Sequence, residues 1–261
     1  MRKREKSLTT PANSPIAPHS STMQLVSQWR DRAQMLIPPM PWDRAQWHDR
    51  GGPPVVLLHG LWRGWRAMEP LARALQREGF STLNLPYPST RLPIDDLVAL
   101  VRPQIEKIAG GQPVHFITHS LGGILVRALL ASDVPWTTGH IVMLAPPNCG
   151  SEIIDWSRTH PLLHRLLGPT GRALGSDGLP GQLPALPPEI QAAVIMGKRP
   201  TIPFFTKLLD PENDGIVSAA KGRLDGLRAF TVIDADHTFM PMHSEAIRLS
   251  VEFLKSGDWP V

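Results

Sequence analysis

Short apolar runs alternate along the chain with segments whose apolar residues recur at helical spacing. P-V-V-L-L (54–58) is apolar throughout, the pattern of a strand buried on both faces. Residues 66–78 place Met68, Leu71, Ala72 and Leu75 on one helical face, and Gly79 stops them. F-S-T-L-N-L-P (80–86) predicts a second strand, and residues 94–109 a second helix ended by Gly110-Gly111. P-V-H-F-I-T (113–118), residues 121–131 and H-I-V-M-L-A (140–145) predict strand, helix and strand. A-A-V-I-M-G (192–197) and L-R-A-F-T-V-I (227–233) predict the fifth and sixth strands, and residues 245–254 the closing helix. Ahead of them, residues 23–36 form a helix ended by I-P-P-M-P-W. This order predicts an α/β fold: a mostly parallel six-stranded sheet with helices on both faces.

Residues 151–213 break the rhythm. Residues 151–167 read as one helix, and the Gly- and Pro-rich stretch after it reads as loop. A connection this long in a compact domain usually covers a site, so 151–213 is expected to form a cap.

Composition changes this picture little. The 28 prolines and 21 glycines in 261 residues agree with many turns and long connections. The net charge of +4 owes much to R-K-R-E-K at residues 2–6. Residues 1–21 are expected to be a disordered basic leader, and 22–261 a single domain. No basic helix is interleaved with aromatics and no zinc-finger spacing occurs, which argues against a nucleic-acid partner. Cys149 is the only cysteine, so no intrachain disulfide forms; it is expected to be a buried or half-buried small residue. No apolar run has the length of a signal peptide or a membrane span, which predicts a cytoplasmic protein.

The candidate chemistry starts at T-H-S-L-G-G (118–123). Ser120 falls between the third strand and the third helix, and Gly122 and Gly123 permit a tight turn. A serine here is a candidate nucleophile or a helix N-cap. His237, in D-A-D-H-T-F-M, follows the last strand, and Asp214, in P-E-N-D-G-I-V-S, precedes it. Nucleophile, carboxylate and imidazole thus occur in the order Ser, Asp, His, beyond strand ends where a parallel sheet gathers its active groups. Asp214 is the favoured carboxylate over Asp210, Asp225, Asp234 and Asp236. Asp236 adjoins His237 in an extended segment and so points away from the ring. H-G-L (59–61) after the first strand presents the Leu61 amide, and the Leu121 amide opens the third helix; together they are candidate donors to an oxyanion. His119 is expected to pack or hydrogen-bond behind the turn. The histidines lack metal-binding spacing, and no phosphate loop or dinucleotide fingerprint occurs, so neither a metal nor a cofactor is expected.

These four motifs, H-G-L, T-H-S-L-G-G, N-D-G-I-V-S and D-H-T-F-M, resemble those of α/β-hydrolases of the serine esterase and lipase type, over roughly residues 54–256. The resemblance implies an acyl-enzyme mechanism with Ser120, Asp214 and His237 as triad, and His59 as an oxyanion-loop residue. Carboxylic ester hydrolysis is the expected reaction, and Trp62, Trp65 and Trp156 with the aliphatic residues of the cap favour an apolar acyl group. Thioester, amide or acyl-transfer chemistry with the same triad, or a non-catalytic binding role, are the alternatives. His59, Trp62, Trp65 and Trp156 are the candidate substrate-contacting residues; the tryptophans either line an acyl wall or pack cap against core. The implied partner is a small-molecule acyl ester or lipid, with transient lipid-surface contact open and no obligate protein partner. Thr118 departs from the glycine usual two places before the nucleophile. Its branched side chain must find space, so a slightly displaced backbone is expected beside an intact turn.

Overall fold

A computed structural model describes residues 19–201 and 204–259. Seven strands form one sheet: β1 (Gln46–His48), β2 (Pro54–Leu58), β3 (Ser81–Leu85), β4 (Val114–His119), β5 (Thr138–Leu144), β6 (Ala192–Gly197) and β7 (Ala229–Ile233). Their order is β1-β3-β2-β4-β5-β6-β7. Every neighbouring pair is parallel except β1 with β3. The six expected strands lie at or within two residues of their expected bounds. The seventh, β1, is a correction to the six-strand expectation. It has three residues, partly to fully exposed, and pairs on one side only, so no apolar run announces it.

The strands explain their own sequence pattern. Val55, Val56, Leu57 and Leu58 of β2 are completely buried. Burying each such side chain contributes roughly 1.5–3 kcal/mol, which a strand covered on both faces collects at every position. α1 (His19–Met35) packs beside the 3-10 turn Trp65–Met68, and the cover is α2 (Glu69–Arg77), α3 (Ile94–Glu106) and α4 (Leu121–Leu130), joined by a long insertion and a closing helix.

The expected helix over 151–167 is instead broken. The insertion holds α5 (Glu152–Ser157), α6 (Pro161–Leu166), α7 (Gly168–Arg172) and α8 (Leu179–Gln182). Pro161 has no N–H to continue the first segment, and its ring crowds the turn before it, so the helix restarts there with His160 outside helical geometry. The chain returns to the sheet at β6, so the cap expected over 151–213 is interrupted by a sheet strand. The closing helix α9 (Ser244–Ser256) packs beside α2, while α3 packs beside α4.

The leader expected over residues 1–21 lies outside the described residues up to residue 18, and residues 19–21 open α1. Cys149 is exposed, with its thiol directed to the Arg223 carbonyl, rather than buried or half-buried as expected. Among the described residues no helix is long and apolar enough to cross a membrane.

Candidate active site

Because β2, β4, β6 and β7 are parallel, their C-terminal ends share one edge of the sheet. The chain leaving β4 turns at once into α4, and Ser120 sits at the turn with φ 52° and ψ −119°. A non-glycine residue there costs on the order of 1–3 kcal/mol and persists only where its surroundings enforce it. Two contacts enforce it. The Ser120 N–H donates to the Leu144 carbonyl at 2.8 Å. The start of α4 also presses against the end of β2: a Cβ on Gly122 would lie 2.4 Å from the Leu58 carbonyl oxygen, so glycine alone fits. The Ser120 side chain makes no capping bond to α4, which removes the N-cap reading.

Thr118 is accommodated without disturbing the strand. It pairs in register with Leu58 on one side and Met143 on the other, and the irregularity in β4 lies earlier, between Val114 and Phe116. The displacement expected beside Thr118 is therefore absent from the ladder. Thr118 is fully buried, and its hydroxyl makes no hydrogen bond among the described residues.

His237 and Asp214 are brought together from different loops. The His237 Nδ1–H donates to Asp214 Oδ2 at 2.7 Å. Asp214 is fully buried, and its other oxygen accepts the Ile216 and Val217 amides at 3.0 and 2.8 Å. The His237 amide donates to the Asp214 carbonyl, tying the two loops a second time. Asp236, beside His237 in sequence, instead accepts the Phe239 amide and meets Arg199, so it is turned away. His119 stands behind: its Nε2–H donates to the His237 carbonyl at 2.9 Å. Burial, then the neighbouring His237 ring, push the His119 pKa well below the ordinary histidine value, which keeps this ring neutral.

The segment after β2 is locked by a residue that sequence reasoning missed. The His59 ring stacks on Tyr87 with centroids 3.9 Å apart. Its Nδ1–H donates to the Gly60 carbonyl, its Nε2 accepts the Tyr87 amide, and the Tyr87 hydroxyl donates to the His59 carbonyl. Nothing in the chain around Tyr87 signals this, since the pair is formed only by the packing of two loops. The turn at Asp214 was more legible: an Asx residue followed by glycine is the usual source of such side chain-to-amide bonds. The Leu61 and Leu121 amides take part in no hydrogen bond among the described residues.

Both nitrogens of His59 are committed, and desolvation lowers its pKa to about 4. His115, whose Nδ1 accepts the His140 amide, is also lowered to about 4, by burial first and by His140 second. Between about pH 6.5 and 4 the unfolded chain therefore takes up protons that the folded chain refuses, so stability falls as pH drops through that window. Thermal melting from pH 7.5 to 4.5 should show this fall, and His115→Gln should make it shallower. A melting temperature that rises on acidification would contradict the assignment.

Ser120, His237, Leu61 and Trp62 line a cavity of about 300 Å³. The cap supplies Ile154, Leu163, Leu167 and Leu174 to the same cavity. A larger and more open groove of about 670 Å³, around Pro38–Pro41 and Tyr87, contains none of Ser120, Asp214 or His237. Of the four residues expected to contact substrate, only Trp62 lines the 300 Å³ cavity. His59 is buried beneath the loop. Trp65 donates its indole N–H to Asp43, and Trp156 packs among His160, Phe204 and Phe205. These three are drawn off by partners of their own, the packing reading raised for the tryptophans. Sequence reasoning also missed Arg63, which lines the cavity. Among the described residues no three His, Cys, Asp or Glu side chains are grouped to hold a metal ion.

The arrangement contains a hydroxyl on a strained turn and an imidazole whose Nδ1 is held by a buried carboxylate. Such a set can deprotonate the hydroxyl and direct it at an electrophile beside an apolar wall.

Known proteins agree with the architecture. The mature form of Bacillus licheniformis lipase BlEst2 superposes with a TM-score of 0.66 at 18% identity, covering 81% of this chain and 96% of that one. An esterase from Exiguobacterium antarcticum superposes with a TM-score of 0.55 at 14% identity, covering 81% and 95%. MenH from S. aureus does so with a TM-score of 0.52 at 12% identity, covering 82% and 98%. At these identities the likeness is one of fold. No curated protein matches the chain. The model of the alpha/beta hydrolase family matches residues 55–251, three-quarters of the sequence, and the chain belongs to that family.

Proposed function

We propose that this hydrolase cleaves carboxylic esters with an apolar acyl group, through an acyl-enzyme on Ser120. The observation that carries the reading is the His237–Asp214 pair, closed at 2.7 Å, opening with Ser120 onto one apolar cavity. With Nδ1–H held by Asp214, His237 Nε2 accepts the Ser120 proton as Oγ attacks the ester carbonyl. The Leu61 and Leu121 amides, unused by the fold, hold the developing oxyanion. The tetrahedral intermediate collapses, the C–O bond to the alcohol breaks, and the alcohol departs with the proton from His237. Water then loses a proton to the same nitrogen, attacks the acyl-enzyme and frees the acid. Leu162 and Leu166, exposed on α6 next to cavity-lining Leu163, support transient contact with a lipid surface or an apolar substrate.

The test is covalent labelling. A fluorophosphonate should modify the protein once, on the peptide containing Ser120, and p-nitrophenyl butyrate added beforehand should slow that labelling. Labelling elsewhere, or none, would overturn the proposal.

A further inference from the structure

The cavity holds a charge that the ester reading does not use. Arg63 lines it together with Ser120 and His237. Its amide donates to the Gly60 carbonyl at 3.3 Å, closing a turn directly after Leu61. Between them Trp62 has φ 58°, a conformation unusual for a bulky side chain, and Leu61, Trp62 and Arg63 all reach the cavity. Strain of this kind concentrates at sites where a side chain must be aimed.

The guanidinium has no hydrogen bond and no ion pair among the described residues. The other arginines among the described residues that are not exposed are matched. Arg66 meets Asp43 at 2.8 Å, Arg73 meets Asp31 at 2.7 Å, Arg102 meets Glu106 at 3.1 Å, and Arg127 lies among the carbonyls of Asn148, Pro180 and Leu183. Arg63 is half-buried, and no Asp or Glu lines its cavity. Burial lowers its pKa, yet a guanidinium stays protonated at any ordinary pH, so its charge sits partly desolvated and unanswered. A planar fork of donors in that position matches an oxyanion better than any other ligand group.

We propose that Arg63 is a specificity-determining residue that binds an anionic group of the substrate. The substrate class is then an acyl ester with an apolar portion and one oxyanion, a carboxylate or a phosphate, on the same molecule. This rests on the ester reading for the bond cleaved, while anion recognition stands on Arg63 alone.

Binding is measured by calorimetry on Ser120→Ala, so that turnover is not needed. Two matched pairs are compared: mono-p-nitrophenyl glutarate against its methyl ester, and 1-butyrylglycerol 3-phosphate against 1-butyrylglycerol. The first pair places a carboxylate on the acyl side, the second a phosphate on the alcohol side. At least one anionic member should bind tenfold or more tighter than its neutral partner, with the advantage shrinking as salt rises. Adding Arg63→Gln should bring the ratio to near one, and Arg63→Lys should retain part of it. Melting curves of both variants establish folding, and the salt dependence of the parent stands without them. Equal binding within both pairs, no binding by either pair, or a preference that survives Arg63→Gln would each overturn the proposal. If the preference is present but the native chain cleaves none of the four compounds, the ester reading fails and anion recognition stands.

Discussion

Ser120→Ala should lower kcat toward p-nitrophenyl butyrate by about 10⁴-fold or more, with the melting temperature little changed. The magnitude follows from what a nucleophile removes: without Oγ no acyl-enzyme forms, and what remains is the catalysis of bound water beside an oxyanion site. The near-constant stability follows from the turn. Its strain is held by the Ser120 N–H on Leu144 and by Gly122 against Leu58, both of which survive the substitution. The hydroxyl caps nothing, so its loss breaks no helix contact. A serine that served as an N-cap would behave in the opposite way, with about 1 kcal/mol of stability lost and activity retained. One pair of measurements, rate and melting, therefore separates the two roles.

Asp214→Asn should cost a comparable amount, about 10⁴-fold in kcat, although only one atom changes. The buried carboxylate accepts on both oxygens: two backbone amides on Oδ1 and the imidazole on Oδ2. An asparagine must keep its carbonyl toward the Ile216 and Val217 amides, since those donors are fixed. Its NH₂ then faces His237 Nδ1 and donates to it. That exchange places the ring proton on Nε2, where a lone pair is required to take the Ser120 proton. Circular dichroism should show the fold retained, and the acyl ester assay should show the loss. Full activity in Asp214→Asn would move the orienting role to another carboxylate.

The parts of the fold that were legible in the chain share a physical origin. β2 and β6 are buried at every residue, and burial on both faces writes itself there as an uninterrupted apolar run. β1 is short, partly exposed and held from one side, so its pairing with β3 left no periodic trace. In the insertion the apolar residues of 151–167 do have helical spacing, but Pro161 decides that they form two helices. Ser120, Asp214 and His237 were readable because each sits in a short motif tied to a strand end. The wall of the cavity was not. Trp65 and Trp156 looked equivalent to Trp62 as large aromatics near the site, and only their partners, Asp43 for one and His160 with Phe204 and Phe205 for the other, remove them from it.

By itself the sequence determined the parallel α/β order and the identity of a serine, a carboxylate and an imidazole at the ends of its strands. Local turn chemistry and the burial period of strands are properties of neighbouring residues, and they survive in one dimension. Tertiary structure alone decided that the Asp214 carboxylate closes on His237 at 2.7 Å, that Tyr87 locks His59, and that Trp65 and Trp156 do not line the cavity. It also decided that Arg63 reaches the cavity with its charge unmatched. Each of these depends on a distance between segments remote in the chain, and such distances are set by the packing of the whole sheet.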